Sequence, residues 1–169
     1  MKYPTALTLL SLMTANTFAA DQTPALVPLP QKMEARQGAF RLTPRTQVRV
    51  DRASQDTGQY LAERLRKATG YNLNIISSAQ PRTPAVGIVL TTTTDAQAAM
   101  GPEGYELAVA PESVVIRASG QAGMFYGVQT LLQLLPPEVF AAKPVPGQYW
   151  TIPCVQIEDQ PRFKWRGLL

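Results

Sequence analysis

Apolar residues recur at helical spacing in the first half of the chain. Leu61, Leu65 and Ala68 lie at i, i+4 and i+7, and charged residues occupy the other faces. This spacing predicts an amphipathic helix whose apolar side rests on a core. Ser54 is suited to begin the helix and Gly70 to end it.

A second helix is predicted where apolar positions are denser. The positions repeat at i, i+4, i+7 and i+11, and two further apolar residues widen the stripe, so the helix is expected to be well buried. Two consecutive prolines, Pro136 and Pro137, stop it. The apolar residues concerned are Met124, Val128, Leu131 and Leu135, with Phe125 and Leu132 beside them.

Short apolar or alternating runs predict strands between and before these helices. Two of the strands flank the tight turn Pro-Glu-Ser and should form an antiparallel hairpin. The proline-rich segment 23–40 is expected to be an extended lead-in. The predicted strands are 46–50, 71–76, 86–90, 105–110 and 114–118, and strand-like segments follow after residue 150.

The order of these elements is β-α-β-β-β-β-α, followed by the last strand-like segments. This order predicts an α+β fold in which a mostly antiparallel sheet carries two helices packed on one face.

Residues 1–19 have the pattern of an export signal. Lys2 is the only charge, and an apolar core over 7–13 is followed by small residues and a cleavage site after Ala19. The core is too short to cross a bilayer as a stable helix; a buried N-terminal helix is the alternative. We expect a periplasmic or secreted protein with no membrane attachment after cleavage.

Composition removes several kinds of chemistry. The 169 residues include no histidine and one cysteine, so zinc sites and imidazole-based catalysis lack their usual groups. The net charge of +4 is spread along the chain without a basic stripe, which argues against nucleic-acid binding. Cys154 lies in an apolar run and is expected to be a small buried residue.

The remaining polar residues give no clear catalytic pair. The acids are scattered and are expected to be solvated turn residues; only Glu158 and Asp159 are adjacent, and neighbours on a strand point to opposite faces. Gly120, Gly123 and Gly127 faintly resemble a phosphate-binding loop, but close packing of a helix on a sheet explains them better. From its residues alone the chain is an exported α+β domain without a visible active site.

Three stretches carry longer motifs: "LVPLPQKMEARQGAFRL", "GYELAVAPESVVIRASGQAGMFYGVQTLLQLLP" and "IPCVQIEDQPRFKWRGLL". All three resemble segments of the family 20 glycoside hydrolases, the β-N-acetylhexosaminidases. They occur in the family's order and span essentially the whole mature chain.

The resemblance implies an N-terminal, zincin-like α+β domain that precedes a (β/α)8 catalytic barrel of roughly 250 residues. The final "RGLL" resembles the first barrel strand, so the expected division is a signal peptide 1–19, an accessory domain 20–150 and a junction with the start of the barrel 151–169. In the family the adjacent catalytic Asp-Glu pair lies in the barrel, and no matching pair occurs here. The implied reaction is removal of terminal N-acetylglucosamine or N-acetylgalactosamine, with the substrate's acetamido oxygen as nucleophile.

One substrate-binding residue is implied by the resemblance. Arg166 matches an arginine that donates hydrogen bonds to hydroxyls of the terminal sugar, which suits the planar guanidinium; the alternative is a strand-end arginine paired with Glu158 or Asp159. Asp159 and Arg162 match the junction and are expected to fix the turn between domains. Without histidine the domain is expected to hold no catalytic zinc, and no cofactor is implied.

Two functions remain open at this point. The chain is either the inactive N-terminal part of an exported hexosaminidase, with its own barrel and a carbohydrate as partners, or a stand-alone module that binds carbohydrate or protein weakly.

Overall fold

Seven strands and two helices make up the part of the chain that the structure describes. The structure is a computed structural model and describes residues 24–79, 87–93 and 100–163, so the predicted signal peptide lies outside it. The elements in chain order are β1 (Lys32–Arg41), β2 (Gln47–Val50), α1 (Gln55–Thr69), β3 (Ile75–Ser77), β4 (Gly87–Thr92), β5 (Tyr105–Val109), β6 (Ser113–Ala118), α2 (Gln121–Leu134), a short 3-10 helix (Pro137–Phe140) and β7 (Thr151–Asp159).

The strands form one sheet in the order β1-β7-β5-β6-β4-β2-β3. The pairs β2–β3, β2–β4 and β4–β6 are parallel, whereas β5–β6, β5–β7 and β1–β7 are antiparallel. The sheet is therefore mixed, and the prediction of a mostly antiparallel sheet was wrong. For the β2–β3 pair the physical reason is that α1 is a crossover that returns the chain to the same end of the sheet, so β3 runs in the same direction as β2.

The predicted hairpin is confirmed. Tyr105–Val109 and Ser113–Ala118 pair antiparallel, and backbone hydrogen bonds between Ala110 and Ser113 close the turn at 2.8 and 3.2 Å. The predicted strand 71–76 forms only at its end. The carbonyl of Leu73 accepts a hydrogen bond from Arg66 Nε at 3.0 Å, so it is taken by a side chain instead of a neighbouring strand.

The proline-rich lead-in contains a strand that the sequence pattern did not predict. β1 begins directly after Pro30 and Gln31 and pairs with β7 along the edge of the sheet. Its register shifts between Ala35 and Ala39, where Gly38 has φ +99°. This bulge breaks the alternation that would have revealed the strand.

The predicted end of α1 is confirmed, but the predicted cap at its start is not. Gly70 ends the helix as predicted, with φ +73° and its N–H donating to the Arg66 carbonyl at 2.9 Å. Ser54 precedes the helix, but its hydroxyl makes no capping bond. Asp51 instead accepts a hydrogen bond from the Ser54 N–H at 2.8 Å and so fixes the turn that enters the helix.

Both helices pack on one face of the sheet, as predicted. A hydrogen bond of 3.2 Å from Gln129 Nε2 to the Tyr60 hydroxyl joins α2 to α1, and the Tyr60 and Phe125 rings lie 5.5 Å apart. Phe125 was expected in the buried stripe but is 41% exposed. Beneath the helices runs a row of buried residues in register across five strands: Val50, Leu90, Ile116, Leu107 and Ile157.

The glycines before and within α2 serve close packing, which confirms that prediction. A Cβ on Gly123 would lie 2.2 Å from the Gly104 carbonyl oxygen, and one on Gly120 would lie 2.6 Å from that of Pro102. A Cβ on Gly127 would lie 2.6 Å from Ile116 Cγ2. The helix therefore approaches the sheet and the loop before β5 more closely than any side chain allows.

Candidate functional site

A groove of about 630 Å³ lies beside α2, at the point where the chain leaves β7. One wall is α2, the other is the segment after β7, and residues before β1 complete the rim. The lining residues are Pro28, Leu29, Glu103, Tyr105, Tyr126, Gln129, Thr130, Gln133, Asp159, Gln160, Pro161, Arg162 and Phe163.

The α2 wall follows from the helical repeat. Tyr126, Gln129, Thr130 and Gln133 lie at i, i+3, i+4 and i+7, so they share one side of the helix. Residues on the adjoining side, such as Leu131, are fully buried on the sheet. The same helix thus presents an apolar stripe to the core and a mixed aromatic and amide stripe to the groove.

A hydrogen-bonded chain of three side chains lies at the floor of the groove. The Tyr105 hydroxyl is 2.6 Å from Thr130 Oγ1 and donates to Asp159 Oδ2 at 3.4 Å. The Tyr105 hydroxyl therefore lies between the Thr130 hydroxyl and the Asp159 carboxylate. This chain ties α2 to β5 and to the end of β7.

The Tyr105 phenol is held in its neutral form. Burial raises its pKa, the Thr130 hydrogen bond lowers it, and the negative charge of Asp159 raises it again, to about 12 in all. At physiological pH Tyr105 is therefore a hydrogen-bonding group, not a base or nucleophile.

The residues before β1 are hydrogen-bonded to α2 on one side of the groove and to the end of β7 on the other. Gln133 holds the backbone of Val27 twice, accepting from its N–H at 3.0 Å and donating to its carbonyl at 3.1 Å. The Gln31 N–H donates to Asp159 Oδ1 at 3.1 Å. Asp159 therefore binds to β5 through one oxygen and to the lead-in through the other.

The adjacent acids Glu158 and Asp159 point to opposite sides of the sheet, as the sequence indicates. Glu158 forms an exposed ion pair with Lys32, with 2.7 Å between Oε2 and Nζ. Asp159 reaches Tyr105 on the side that carries the helices. These two carboxylates cannot act on one substrate bond.

The described ranges carry no cluster of three His, Cys, Asp or Glu side chains that could hold a metal ion. In the same ranges no helix has both the length and the apolar character needed to cross a membrane. Cys154 is 2% exposed, which confirms the prediction of a buried residue, and burial raises the pKa of its thiol.

The predicted site residues fall partly outside the described chain. Arg166 lies beyond residue 163, so its predicted contact with a sugar stays a prediction. Asp159 fixes the end of β7, and Arg162 is exposed in the groove wall. The sequence pattern did not predict that Tyr105 and Thr130 form a hydrogen bond in the groove. The pattern that could have indicated Thr130 is the row of polar and aromatic residues at i, i+3, i+4 and i+7 on the groove side of α2.

Residues 23–160 match the family described as glycosyl hydrolase family 20, domain 2. The chain belongs to glycosyl hydrolase family 20. The resemblance stated from the three sequence stretches is thereby confirmed.

Two relatives and one solved structure agree with the assignment of this chain, called the family 20 domain below, to that family. It is 32% identical over 145 residues to a β-hexosaminidase of Porphyromonas gingivalis, covering 85% of this chain and 18% of the relative. It is 31% identical over 147 residues to a β-N-acetylhexosaminidase of Cellulomonas fimi, covering 85% and 27%. The solved β-N-acetylhexosaminidase of Streptomyces coelicolor A3(2) aligns with a TM-score of 0.71 and 40% identity, over 81% of this chain and 26% of that chain.

The similarity covers most of this chain but only part of each longer relative. The family 20 domain spans about a fifth to a quarter of the length of the curated relatives and of the solved chain named above. The α+β fold that it shares with the Streptomyces coelicolor enzyme therefore corresponds to one part of that larger chain.

Proposed function

We propose that this chain is the N-terminal, non-catalytic domain of an exported exo-β-N-acetylhexosaminidase. The enzyme removes terminal N-acetylglucosamine or N-acetylgalactosamine from glycans or chitin fragments. The observation that carries the proposal is the family match over residues 23–160. It is supported by two relatives several times longer than this chain, which are named as a β-hexosaminidase and a β-N-acetylhexosaminidase.

The chemistry of the groove supports an accessory role for the domain. Its central carboxylate, Asp159, is held by Tyr105 and by the backbone of Gln31. Its phenol stays protonated at physiological pH. These groups fix the fold, whereas glycoside hydrolysis needs a proton donor placed at the leaving oxygen.

In the proposed whole enzyme, catalysis is substrate-assisted. The acetamido oxygen of the sugar attacks the anomeric carbon, a glutamate of the barrel donates a proton to the leaving group, and an aspartate orients the acetamido group. Arg166 donates hydrogen bonds to hydroxyls of the terminal sugar and so contributes to its position.

The first prediction concerns activity. The 169-residue chain should not hydrolyse a chromogenic β-N-acetylglucosaminide, whereas the protein extended through a barrel should do so equally well with and without a chelator. Arg166→Ala in the extended protein should raise KM and lower kcat, because lost sugar contacts also misplace the acetamido group.

The matched control is Arg45→Ala, which removes an exposed arginine far along the chain from Arg166 and should leave kinetics unchanged. Turnover by the purified 169-residue chain would contradict the accessory role. An Arg166→Ala enzyme with unaltered kinetics would contradict the assignment of Arg166.

The second prediction concerns export. Expressed in a bacterium with a periplasm, the chain should be recovered there with Ala20 or Asp21 as its first residue, because the small residues of the cleavage site end at Ala19 and Ala20. N-terminal sequencing and fractionation test this. Replacing Leu9 and Leu10 by Gln should keep the protein in the cytoplasm, since the apolar core of the signal is interrupted. Exported protein that retains Met1 would contradict the signal-peptide assignment.

The alternative is a stand-alone module that binds carbohydrate or protein weakly. The groove favours this possibility to the extent that Tyr126 and Phe163 offer aromatic surface beside amide groups. The DNA after codon 169 distinguishes the two: an open frame that continues into a barrel supports the enzyme, and a stop codon supports the module.

A further inference from the structure

An exposed segment, residues 26–31, runs from α2 to the end of β7 and is called the strap below. It forms neither helix nor strand, and Val27 and Leu29 are 79% and 65% exposed. Pro28 and Pro30 alternate with these two residues and fix the backbone angle φ at their positions, which stiffens the segment. The position of the strap therefore depends on the contacts at its two ends.

The first end of the strap is attached to the core and to α2. Leu26 is 6% exposed and belongs to the buried cluster. The amide of Gln133 accepts a hydrogen bond from the Val27 N–H at 3.0 Å and donates one to the Val27 carbonyl at 3.1 Å. Neither hydrogen bond involves β7, so this end is held independently of that strand.

The second end of the strap holds the end of β7. Asp159 is the last residue of β7, and it pairs with Tyr105 of β5. The Gln31 N–H donates to Asp159 Oδ1 at 3.1 Å, and Gln31 Nε2 donates to the Gln160 carbonyl at 3.0 Å. Gln160 lies after the last paired residue, so its carbonyl is held by the strap and not by the sheet.

The dependence between the two ends is therefore unequal. The strap is attached to α2 and the core without help from β7, whereas the residue that follows β7 is bonded to the strap. The ion pair between Lys32 and Glu158 lies beside this contact, but it is exposed and contributes little.

We propose that attachment of the strap to α2 controls the end of β7. While Gln133 holds the strap, Gln31 holds Asp159 and Gln160; cleavage within residues 26–31 releases the point at which the chain leaves the sheet. An event near the N-terminus is thereby transmitted to residues 128 and 129 positions later. This inference goes beyond the proposed function and applies equally to an enzyme domain and to a stand-alone module.

The experiment is amide hydrogen exchange of the 169-residue chain, followed by mass spectrometry of peptic peptides. Three peptides are compared: one that contains the strap, one that contains residues 157–160 and one that contains β6. Gln133→Met removes both hydrogen bonds to Val27 and keeps a side chain of similar length. Gln129→Met is the matched control, because Gln129 lines the same side of α2 but donates to the Tyr60 hydroxyl instead of the strap.

We expect Gln133→Met to speed exchange about tenfold or more in both the strap and residues 157–160, because both then open locally. The β6 peptide should exchange as in the parent, and Gln129→Met should leave the strap and residues 157–160 unchanged. Faster exchange of the strap alone would overturn the proposal, since the end of β7 would then be held without it. Unchanged exchange in both segments, or faster exchange in β6 as well, would overturn it too.

A second variant tests the direction of the effect. Gln31→Ala removes the hydrogen bond to the Gln160 carbonyl, so residues 157–160 should exchange faster while Val27 stays protected. Adding Gln31→Ala to Gln133→Met should not speed exchange of residues 157–160 further, because both changes break one connection. Additive effects of the two changes would show two independent contacts and would overturn the proposal.

Discussion

Asp51 lies where β2, α1 and β4 meet, and it is 7% exposed. One carboxylate oxygen accepts from the Ser54 N–H at 2.8 Å, and the other accepts from the backbone N–H and the hydroxyl of Thr92, the hydroxyl at 2.5 Å. The sequence indicated scattered, solvated turn acids, and for Asp51 that was wrong. The burial follows from the parallel pairing of β2 with β4, which brings Thr92 beside it.

The pKa of Asp51 reflects two opposed effects. Burial raises it, but the hydrogen bonds from Thr92 and Ser54 favour the ionised carboxylate and leave the pKa below its ordinary value. A group with a lowered pKa in the folded state stabilises the fold above its unfolded pKa of about 3.9. That contribution is lost as the pH falls from this value through the lowered folded pKa.

We predict that Asp51→Asn lowers the free energy of unfolding by about 1–3 kcal/mol at pH 7, because the new amide group cannot accept both sets of hydrogen bonds. The variant should also lose less stability than the parent between pH 5 and pH 3. Urea unfolding at these pH values measures both effects. Glu112→Gln, at an exposed turn, is the control and should follow the parent. Parallel pH profiles for Asp51→Asn and the parent would show that Asp51 does not hold this role.

At the scale of elements, α2 is shaped by what it packs against on two sides. Its core side lies so close to β5 and β6 that Gly127 has room only for hydrogen, with Ile116 Cγ2 at 2.6 Å and Tyr105 Cδ2 at 3.1 Å from a Cβ placed there. Its groove side carries the polar spacing that ends in Gln133. Helix propensity would favour alanine at position 127, but the close packing on the sheet leaves room only for glycine.

We predict that Gly127→Ala destabilises the domain. Overpacking costs about 1–3 kcal/mol, whereas the gain in helix propensity is about 1 kcal/mol. The control Ala122→Gly measures the propensity contribution at an exposed position of the same helix. Chemical denaturation of both variants gives the comparison. If Gly127→Ala stabilised the domain by the amount that Ala122→Gly destabilises it, the close approach of helix and sheet would be wrong.

At the scale of the whole molecule, one buried cluster joins both helices to the sheet. It contains residues from the edge strand β1, such as Phe40, from β7, such as Ile157, and from both helices, such as Leu61 and Leu131. Trp150, 2% exposed, belongs to the same cluster. Within the described residues the core is continuous, so the elements depend on one another for burial.

We predict that the chain from Ala20 onward unfolds in a single cooperative transition. The two tryptophans are Trp150 and Trp165, so Trp165→Phe leaves Trp150 as the only tryptophan reporter. Its fluorescence and the far-ultraviolet circular dichroism should then give the same urea midpoint. A separate, earlier transition in fluorescence would show that the end of the sheet near Trp150 unfolds by itself.

The sequence alone determined the features that depend on neighbours along the chain. Both helices, the 105–118 hairpin, the end of α1 at Gly70 and the burial of Cys154 were predicted from periodicity and turn residues, and the structure confirms them. The family was identified from the same short stretches. These properties are local because a helix, a turn or an apolar run is specified within a few consecutive residues.

Only the tertiary structure decided the features that join distant parts of the chain. The direction of the strands, the pairing of β1 with β7 and the burial of Asp51 depend on which segments meet. At the floor of the groove, Tyr105 is hydrogen-bonded to Thr130, 25 positions along the chain, and to Asp159, 54 positions along the chain. Local patterns record which side chains favour burial or exposure, but the partner of each polar group is set by the packing of segments remote in sequence.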